Sequence, residues 1–392
     1  MQEKQLQIAH IILDEKFIDI AINNYNSIPN IKNEYLCLSS NKELRFISQK
    51  EKVELFSSQI EIIDCILSNH IPVVVLHSAF MSFRQLNRLQ SDTIVIWHTW
   101  GYDIFEPSFL PSIIKNPIQL RIYKPLTLHF LNSRKQLSKY VYIELRRFLN
   151  GETYNRFKFY RRVNFISTVT NYEFELLHKN PIFAHVKKFS FKYFDSKYTV
   201  DANIAFSNGN DILISHSSDE TNNHLDVLQQ LERIPISDKS KIIMPMSYGG
   251  FTRGYKSLVK KYVSRSKYAS QFCVLDTFME RSQYASLISD CSYAIMGNVR
   301  QQAMGNIYML LLQGCKVFLF KESISYIELK NNGFQIFSIE SMDSNSLMEP
   351  LAQDDQIRNH KLALNFLDFQ EFLTEFRISI ESVRSEVEKI NK

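Results

Sequence analysis

The run Thr93–Glu106 gathers side chains able to do chemistry: His98, Asp103 and Glu106 beside Trp97, Trp100 and Tyr102, around Gly101. An imidazole or carboxylate within hydrogen-bond reach of a hydroxyl can take its proton, and the rings could wall a substrate. Both tryptophans of the chain lie in this one turn. Ile94, Val95 and Ile96 lead into it as a β-branched run, which predicts a buried parallel strand. Ligands of open α/β sheets bind beyond the carboxyl ends of such strands. An ordinary strand end, with tryptophans in the core and polar groups capping a helix, would use the same residues.

Further turns in the second half carry polar groups of another kind. Ile212–Ile214 runs into Ser215-His216-Ser217-Ser218-Asp219-Glu220-Thr221-Asn222-Asn223-His224. A helix starting there would offer free N–H groups and a positive dipole end to a diphosphate. N-capping by Ser218, Asp219 or Asn222 is the plainer use. Pro245-Met246-Ser247-Tyr248-Gly249-Gly250 ends another strand, where backbone could approach a base or ribose. Tyr293–Met296 leads to Arg300, which could pair with a phosphate, and to Gly305, which would admit close backbone approach. Gln301 and Gln302 between them are donor contacts or surface helix residues. Glu322, after Lys316–Phe320, offers a carboxylate to sugar or ribose hydroxyls. On neighbouring strands of one parallel sheet, these turns converge.

The elements that must hold them recur regularly. Strands are expected at Leu6–Leu13, Glu34–Leu38, Pro72–Leu76, Thr93–Trp97 and Asn164–Val169, then at Asp211–Ser215, Lys241–Met246, Phe272–Leu275, Tyr293–Met296, Lys316–Phe320 and Phe334–Ser338. Helix-spaced segments such as Ser58–Asn69 and Arg300–Gln313 lie between them, the signature of βα units and a parallel sheet. A polar, turn-rich interval from Lys192 to Asn210 reads as a linker. An α/β protein of two Rossmann-like halves follows, with domains at 1–195 and 205–365 and a charged amphipathic helix over 366–392 packing back across both.

With 392 residues, 45% hydrophobic and 22% charged, the chain has the size of two soluble globular domains. Ten glycines and ten prolines argue against disorder and against a glycine-rich phosphate loop. Five cysteines without CxxC spacing predict neither disulfides nor a zinc site, and suggest a reducing cytoplasm. No signal-peptide pattern opens the sequence, and no apolar run approaches the roughly 20 residues of a membrane span. HExxH, GxSxG and GxGxxG are absent, and no Asp-x-Asp closes a strand, so neither metal nor cofactor is expected. His10, His70, His77 and His129 read as structural, although His77 ends the strand Pro72–Leu76 and could face a cleft beside His98.

The net charge of +5 is unevenly spread. Lys115–Arg162 holds twelve basic residues, among them Arg146, Arg147, Arg161 and Arg162, interleaved with tyrosines and phenylalanines. Such a stretch suits an anionic membrane surface or a diphosphate head group. Nucleic acid, with bases stacked on the rings, and a plain solvated helix face are the other readings.

Taken together, these residues resemble a known family. Trp97-His98-Thr99-Trp100-Gly101-Tyr102-Asp103-Ile104-Phe105-Glu106 is similar to the Trp-His-x-Trp-Gly-x-Asp-Leu-Tyr-Glu element of the TDP-N-acetylfucosamine:lipid II N-acetylfucosaminyltransferases, glycosyltransferase family 56. Ser217, Asp219, Asn222 and His224 match that family's Asn-Ser-x-Asp-x-Ser-Asn-x-His turn, which His216 and positions adjacent to Asn223 depart from. Pro245-Met246-Ser247-Tyr248 resembles its Pro-Met-Gly-Tyr, Arg300-Gln301-Gln302-Ala303-Met304-Gly305 its Arg-Gln-Gln-Gly-Ile-Gly, and Glu322 its following glutamate. The matches keep their order from His77 to Phe337.

The resemblance implies a GT-B fold, two Rossmann-like domains facing a cleft, acting without a metal in bacterial surface polysaccharide synthesis (common antigen, O-antigen or capsule). It implies a nucleotide-sugar donor in the second domain, held by Ser217, Ser218, Asp219, Asn222, His224, Met246, Tyr248, Arg300, Gln301, Gln302, Gly305 and Glu322. A polyprenyl-diphosphate-linked saccharide acceptor would meet the first domain at His77, Trp97, Trp100 and Tyr102. Arg146, Arg147, Arg161 and Arg162 would rest on the anionic cytoplasmic face of the inner membrane, with no nucleic acid partner. Asp103 or His98 is expected to contact the acceptor hydroxyl, with capping of a helix as the other use of Asp103. A sugar-nucleotide epimerase of GT-B fold would share the donor pocket without a lipid acceptor, and a non-catalytic basic binding protein would use Lys115–Arg162 alone.

Overall fold

The computed structural model describes residues 5–40, 43–105, 120–134, 136–194, 205–250, 252–277, 279 and 281–390. A first sheet contains β1 (Leu6–Ile12), β2 (Ile31–Leu38), β3 (Val53–Phe56), β4 (Val73–His77), β5 (Ile94–His98), β6 (Phe165–Ser167) and β7 (Lys187–Lys188). A second contains β8 (Asp211–Ile214), β9 (Ile242–Pro245), β10 (Phe272–Leu275), β11 (Cys291–Met296), β12 (Lys316–Leu319) and β13 (Phe337–Ser338). The strand orders are β3-β2-β1-β4-β5-β6-β7 and β10-β9-β8-β11-β12-β13, parallel at every pairing.

All eleven strands expected from the sequence form. Continuous apolar runs such as Val73–Leu76 and Ile94–Trp97 are buried on both faces because helices cover both sides of each sheet. The two strands without such a run, β3 and β7, are edge strands that expose Glu54, Lys187 and Lys188. In each sheet the winding reverses at one place, between β1 and β4 and between β8 and β11. That is where doubly wound folds bind ligands.

Two segments tie the lobes together. The helix Phe369–Ile390 lays Phe372, Phe376, Ile380 and Val383 on the first-sheet face built from Ile8, Val73, Val75, Ile94 and Ile96. The connection from β5 to β6 crosses to the second lobe and returns. Its helix Pro125–Ser133 packs Phe130 and Leu131 among Val227, Leu228, Tyr255 and Val259. Asp226 anchors the start of that helix, accepting from the backbone N–H of Leu126 and Thr127 and from the Thr127 hydroxyl at 2.8–3.0 Å. Phe159 and Tyr160 then rejoin the first core. The sheets are therefore separate, but the packing is shared between them. Among the described residues no helix is long and apolar enough to cross a membrane, and all five cysteines are free.

Candidate active site

Register decides which way the β5 residues face. His98 pairs with His77, one step beyond Ile96 and Val75, so both imidazoles continue the apolar face under the C-terminal helix. They are buried there with His10, whose Nδ1 lies 3.1 Å from His77 Nε2. Tyr25 OH lies 2.7 Å from His98 Nε2, Tyr193 OH lies 2.7 Å from His77 Nδ1, and Phe191 stacks on His98. Burial holds the pKa of His10 down to about 3 and those of His77 and His98 well below the ordinary value. These are neutral core histidines, which corrects the expectation that His98 and His77 face the cleft. Trp97 turns to the opposite face and stacks on Tyr160 inside the first core, so it is no substrate wall.

The turn after β5 does reach the second lobe. Gly101 adopts a left-handed backbone with φ of +74°, for which glycine is suited. Asp103 shapes this turn: its Oδ1 accepts from Trp100 N–H at 2.9 Å, and its Oδ2 accepts from Ala79 N–H and Trp97 Nε1–H, each at 3.2 Å. Burial raises its pKa to about 6 against those three hydrogen bonds. Trp100 packs on Tyr193 and Phe17 at the rim, and Tyr102 is half exposed. Glu106 and Lys115 fall outside the described residues.

On the second lobe, much of the expected donor set is scaffold. Ser218 Oγ donates to the carbonyls of Tyr248 and Gly249 at 2.8 Å, joining two turns. Asn222 is buried and donates to Ser217 Oγ and to the carbonyls of Ser217 and Asp219. Asp219 caps a short 3-10 turn through Thr221. Met246 is core, and His224 is buried against the Tyr255 hydroxyl. The helix itself begins only at His224, and its start is covered. Asn223 there donates to the Gly297 and Ile122 carbonyls and accepts from Lys124 N–H. A diphosphate at that helix start, as expected from the sequence, is therefore blocked.

The next polar turn is open. After β11 the chain passes Gly297, where an added Cβ would lie 2.1 Å from the Asn222 carbonyl, and reaches Arg300, Gln301 and Gln302. The helix Met304–Leu312 follows, and among the described residues nothing beyond its chain neighbours and its own helix backbone lies within 4 Å of where a Cβ on Gly305 would stand. Arg300 is partly buried and feels Asp219 of its own lobe and Tyr123, Glu173 and Asp103 of the other. His216 is kept neutral, its pKa lowered to about 4 chiefly by burial. Gln302 accepts from the Thr221 hydroxyl, and Tyr248 stays half exposed. Glu322 is held in an ion pair with Lys124 at 2.6 Å, a partner from the crossing segment that spacing could not reveal.

The two turns meet. A Cβ on Gly101 would lie 3.2 Å from Gln301 Oε1 and 3.5 Å from Arg300 Nη1. Behind them, Glu328 of the second lobe accepts from the N–H groups of Asn171 and Tyr172 at 3.3 and 2.9 Å, at the start of a first-lobe helix. The carboxyl ends of the two sheets thus meet at these turns.

The basic segment divides in two. Arg162 is committed to the Leu89 and Gln90 carbonyls and is not free for a head group. Arg146, Lys158 and Arg161 are exposed; the side chain of Arg147 lies outside the described residues. Tyr142, Leu145 and Leu149 fall at i, i+3 and i+7 of the helix Gln136–Leu149 and are exposed, as are Phe148 and Tyr154.

Known proteins show the family and the fold. Residues 154–380, more than half of the chain, match the family described as 4-alpha-L-fucosyltransferase, glycosyl transferase group 56. Among solved structures, the chain is similar to the N-terminal domain of Candida albicans trehalose-6-phosphate phosphatase, with a TM-score of 0.63, 8% identity and 98% of each chain covered. Sucrose-phosphate synthase from Thermosynechococcus elongatus gives 0.59 at 7% identity, covering 97% of this chain and 99% of that one. Anabaena HepE in complex with UDP and glucose gives 0.51 at 11% identity, covering 98% and 97%. At these identities the likeness is one of fold, and that fold is GT-B.

Proposed function

This chain belongs to the group 56 glycosyltransferases, and from that premise we propose that it moves an acetamido-deoxy sugar, such as N-acetylfucosamine, from a TDP-sugar to a polyprenyl-diphosphate-linked saccharide. The product would serve a bacterial surface polysaccharide of the common-antigen, O-antigen or capsule kind. The observation that carries this reading is the meeting of the Gly101 turn with Arg300 and Gln301 across the lobes. Acceptor and donor can share a site only where both sheets present their carboxyl ends to one crevice.

The leaving diphosphate gathers negative charge as its bond to the sugar breaks. Arg300 and the open start of the helix Met304–Leu312 supply a cation and free N–H groups for it. Anabaena HepE, of the same fold, was solved in complex with UDP and glucose, which supports a nucleoside diphosphate in a crevice of this kind. Asp103 and His98 act as positioning groups that hold the Trp100–Tyr102 turn and the strand beneath it. The exposed stripe of Tyr142, Leu145 and Leu149, flanked by Arg146, has the composition of a helix lying on an anionic membrane. It would bring the crevice to a lipid-linked acceptor at the cytoplasmic face.

A thermal-shift screen of TDP, UDP and their sugars tests the donor. A ligand of the folded form raises the melting temperature by mass action, by about 2.7 kcal/mol of stability at a hundredfold excess over Kd. TDP-sugars should give the largest rise; no rise with any nucleotide would overturn the reading.

A further inference from the structure

We propose that Tyr193 is a positioning residue that fixes the Trp100 ring as the platform for the acceptor saccharide, a reading that rests on the transfer reaction proposed above. Phe189, Phe191 and Tyr193 alternate along the segment that follows β7, and all three pack with the first-sheet face beneath the C-terminal helix. Asn24 ties the backbone on both sides of Tyr193, donating to the carbonyls of Lys192 and Phe194 at 3.4 and 3.0 Å. The phenol is thereby carried to the edge of the core. Its hydroxyl lies 2.7 Å from His77 Nδ1, and its ring packs on Trp100, 4.6 Å between centroids.

The hydrogen bonds behind that hydroxyl run in one direction. Asn33 donates from Nδ2 to Asn26 Oδ1 at 2.8 Å, so its Oδ1 is the acceptor that lies 3.0 Å from His10 Nε2. A neutral imidazole has one donor and one acceptor nitrogen. His10 therefore donates from Nε2, and its Nδ1 accepts from His77 Nε2–H at 3.1 Å. His77 is left with Nδ1 as its acceptor, and the Tyr193 hydroxyl donates to it. With its proton committed there, the Tyr193 oxygen has only lone pairs to offer at the rim, and it accepts from the indole N–H of Trp100. Each link needs the one before it, so a chain anchored at Asn33 sets the direction in which the last ring is held.

Trp100 stands where an acceptor has to lie. Its ring packs on Phe17, which follows β1, and on Tyr193, which bonds to the last residue of β4. It therefore spans the reversal between those two strands, the ligand-binding place of a doubly wound sheet. The next residue is Gly101, on which a Cβ would lie 3.5 Å from Arg300 Nη1, so the indole is one residue from the turn that meets the second lobe. Trp100 stays partly exposed. The C–H face of a pyranose is apolar and packs on such a ring, while its hydroxyls stay free to hydrogen-bond.

The test measures acceptor KM, kcat and TDP affinity for the wild-type protein, Tyr193→Phe, Trp100→Phe and the double variant. TDP-N-acetylfucosamine is the donor and a short-chain polyprenyl-diphosphate disaccharide the acceptor. Tyr193→Phe keeps its ring in the core and should stay folded, with TDP affinity as the control. Each single variant should raise acceptor KM by about tenfold at unchanged kcat, because the ring holds saccharide equally before and during transfer. The double variant should be no worse than Trp100→Phe alone, since Tyr193 acts through that ring. Tryptophan fluorescence should change when the acceptor is added without donor, and the change should vanish in Trp100→Phe, which keeps only the buried Trp97. A wild-type acceptor KM in either single variant, a loss confined to kcat, additive effects in the double variant, or no fluorescence response in the wild-type protein would overturn the assignment. A wild-type protein that neither binds TDP nor turns over would instead overturn the parent reading, and this assignment with it.

Discussion

Asp103 spends its charge on shape, because three N–H groups converge on one carboxylate that anchors the turn at Gly101. Asp103→Asn keeps an acceptor but sets an amide against those donors, so it should cost about 1–3 kcal/mol of stability. Turnover should fall while TDP affinity holds, which melting curves and calorimetry would show. Glu173 behaves differently: burial lifts its pKa to about 8, so it is protonated at neutral pH. A raised carboxyl pKa adds stability below the unfolded value near 4.5, and that stability is lost as pH rises through about 8. The melting temperature should therefore fall over that window, and Glu173→Gln should flatten the fall; an unchanged slope would contradict the assignment. Residue types such as His98 and Asp103 were legible in the sequence as chemistry, but their orientation was not. Strand period puts His98 on a face closed by a helix from the far end of the chain, and no local pattern announces that.

Among the elements, apolar runs bounded by turns were enough to locate eleven strands, since a strand buried on both faces needs continuous hydrophobicity. The edge strands β3 and β7 carry no such run and could not be read. The helix start expected near Ser217 lies further on because Ser217–Asn222 bond to one another in a tight turn and defer the helix to His224. Two glycines in the next turn make opposite predictions. Gly297→Ala would drive a Cβ into the Asn222 carbonyl at 2.1 Å and should lower the melting temperature sharply. Gly305→Ala meets nothing outside its own helix among the described residues, so it should leave the melting temperature intact. A loss of TDP affinity in Gly305→Ala would then mark where the diphosphate runs; a collapse of its fold would contradict the open helix start.

At the scale of the whole molecule, two lobes are held in one arrangement by the crossing segment, the Glu328 contact and the C-terminal helix. Lobes of this order were legible in the alternation of strands and helices, whereas the excursion of Pro125–Ser133 into the second core was not, because its partners Asn223 and Asp226 lie about a hundred residues further on. The exposed stripe on Gln136–Leu149 predicts that Leu145→Glu with Leu149→Glu will abolish sedimentation with anionic liposomes and leave TDP binding untouched. The convergence of both lobes on a donor diphosphate is tested most directly by calorimetric titration of TDP into wild-type and Arg300→Ala protein. Wild-type protein should bind TDP and Arg300→Ala should bind at least about tenfold more weakly, about 1.4 kcal/mol, at an unchanged melting temperature. Equal affinity in the two proteins, or no binding in either, would contradict it.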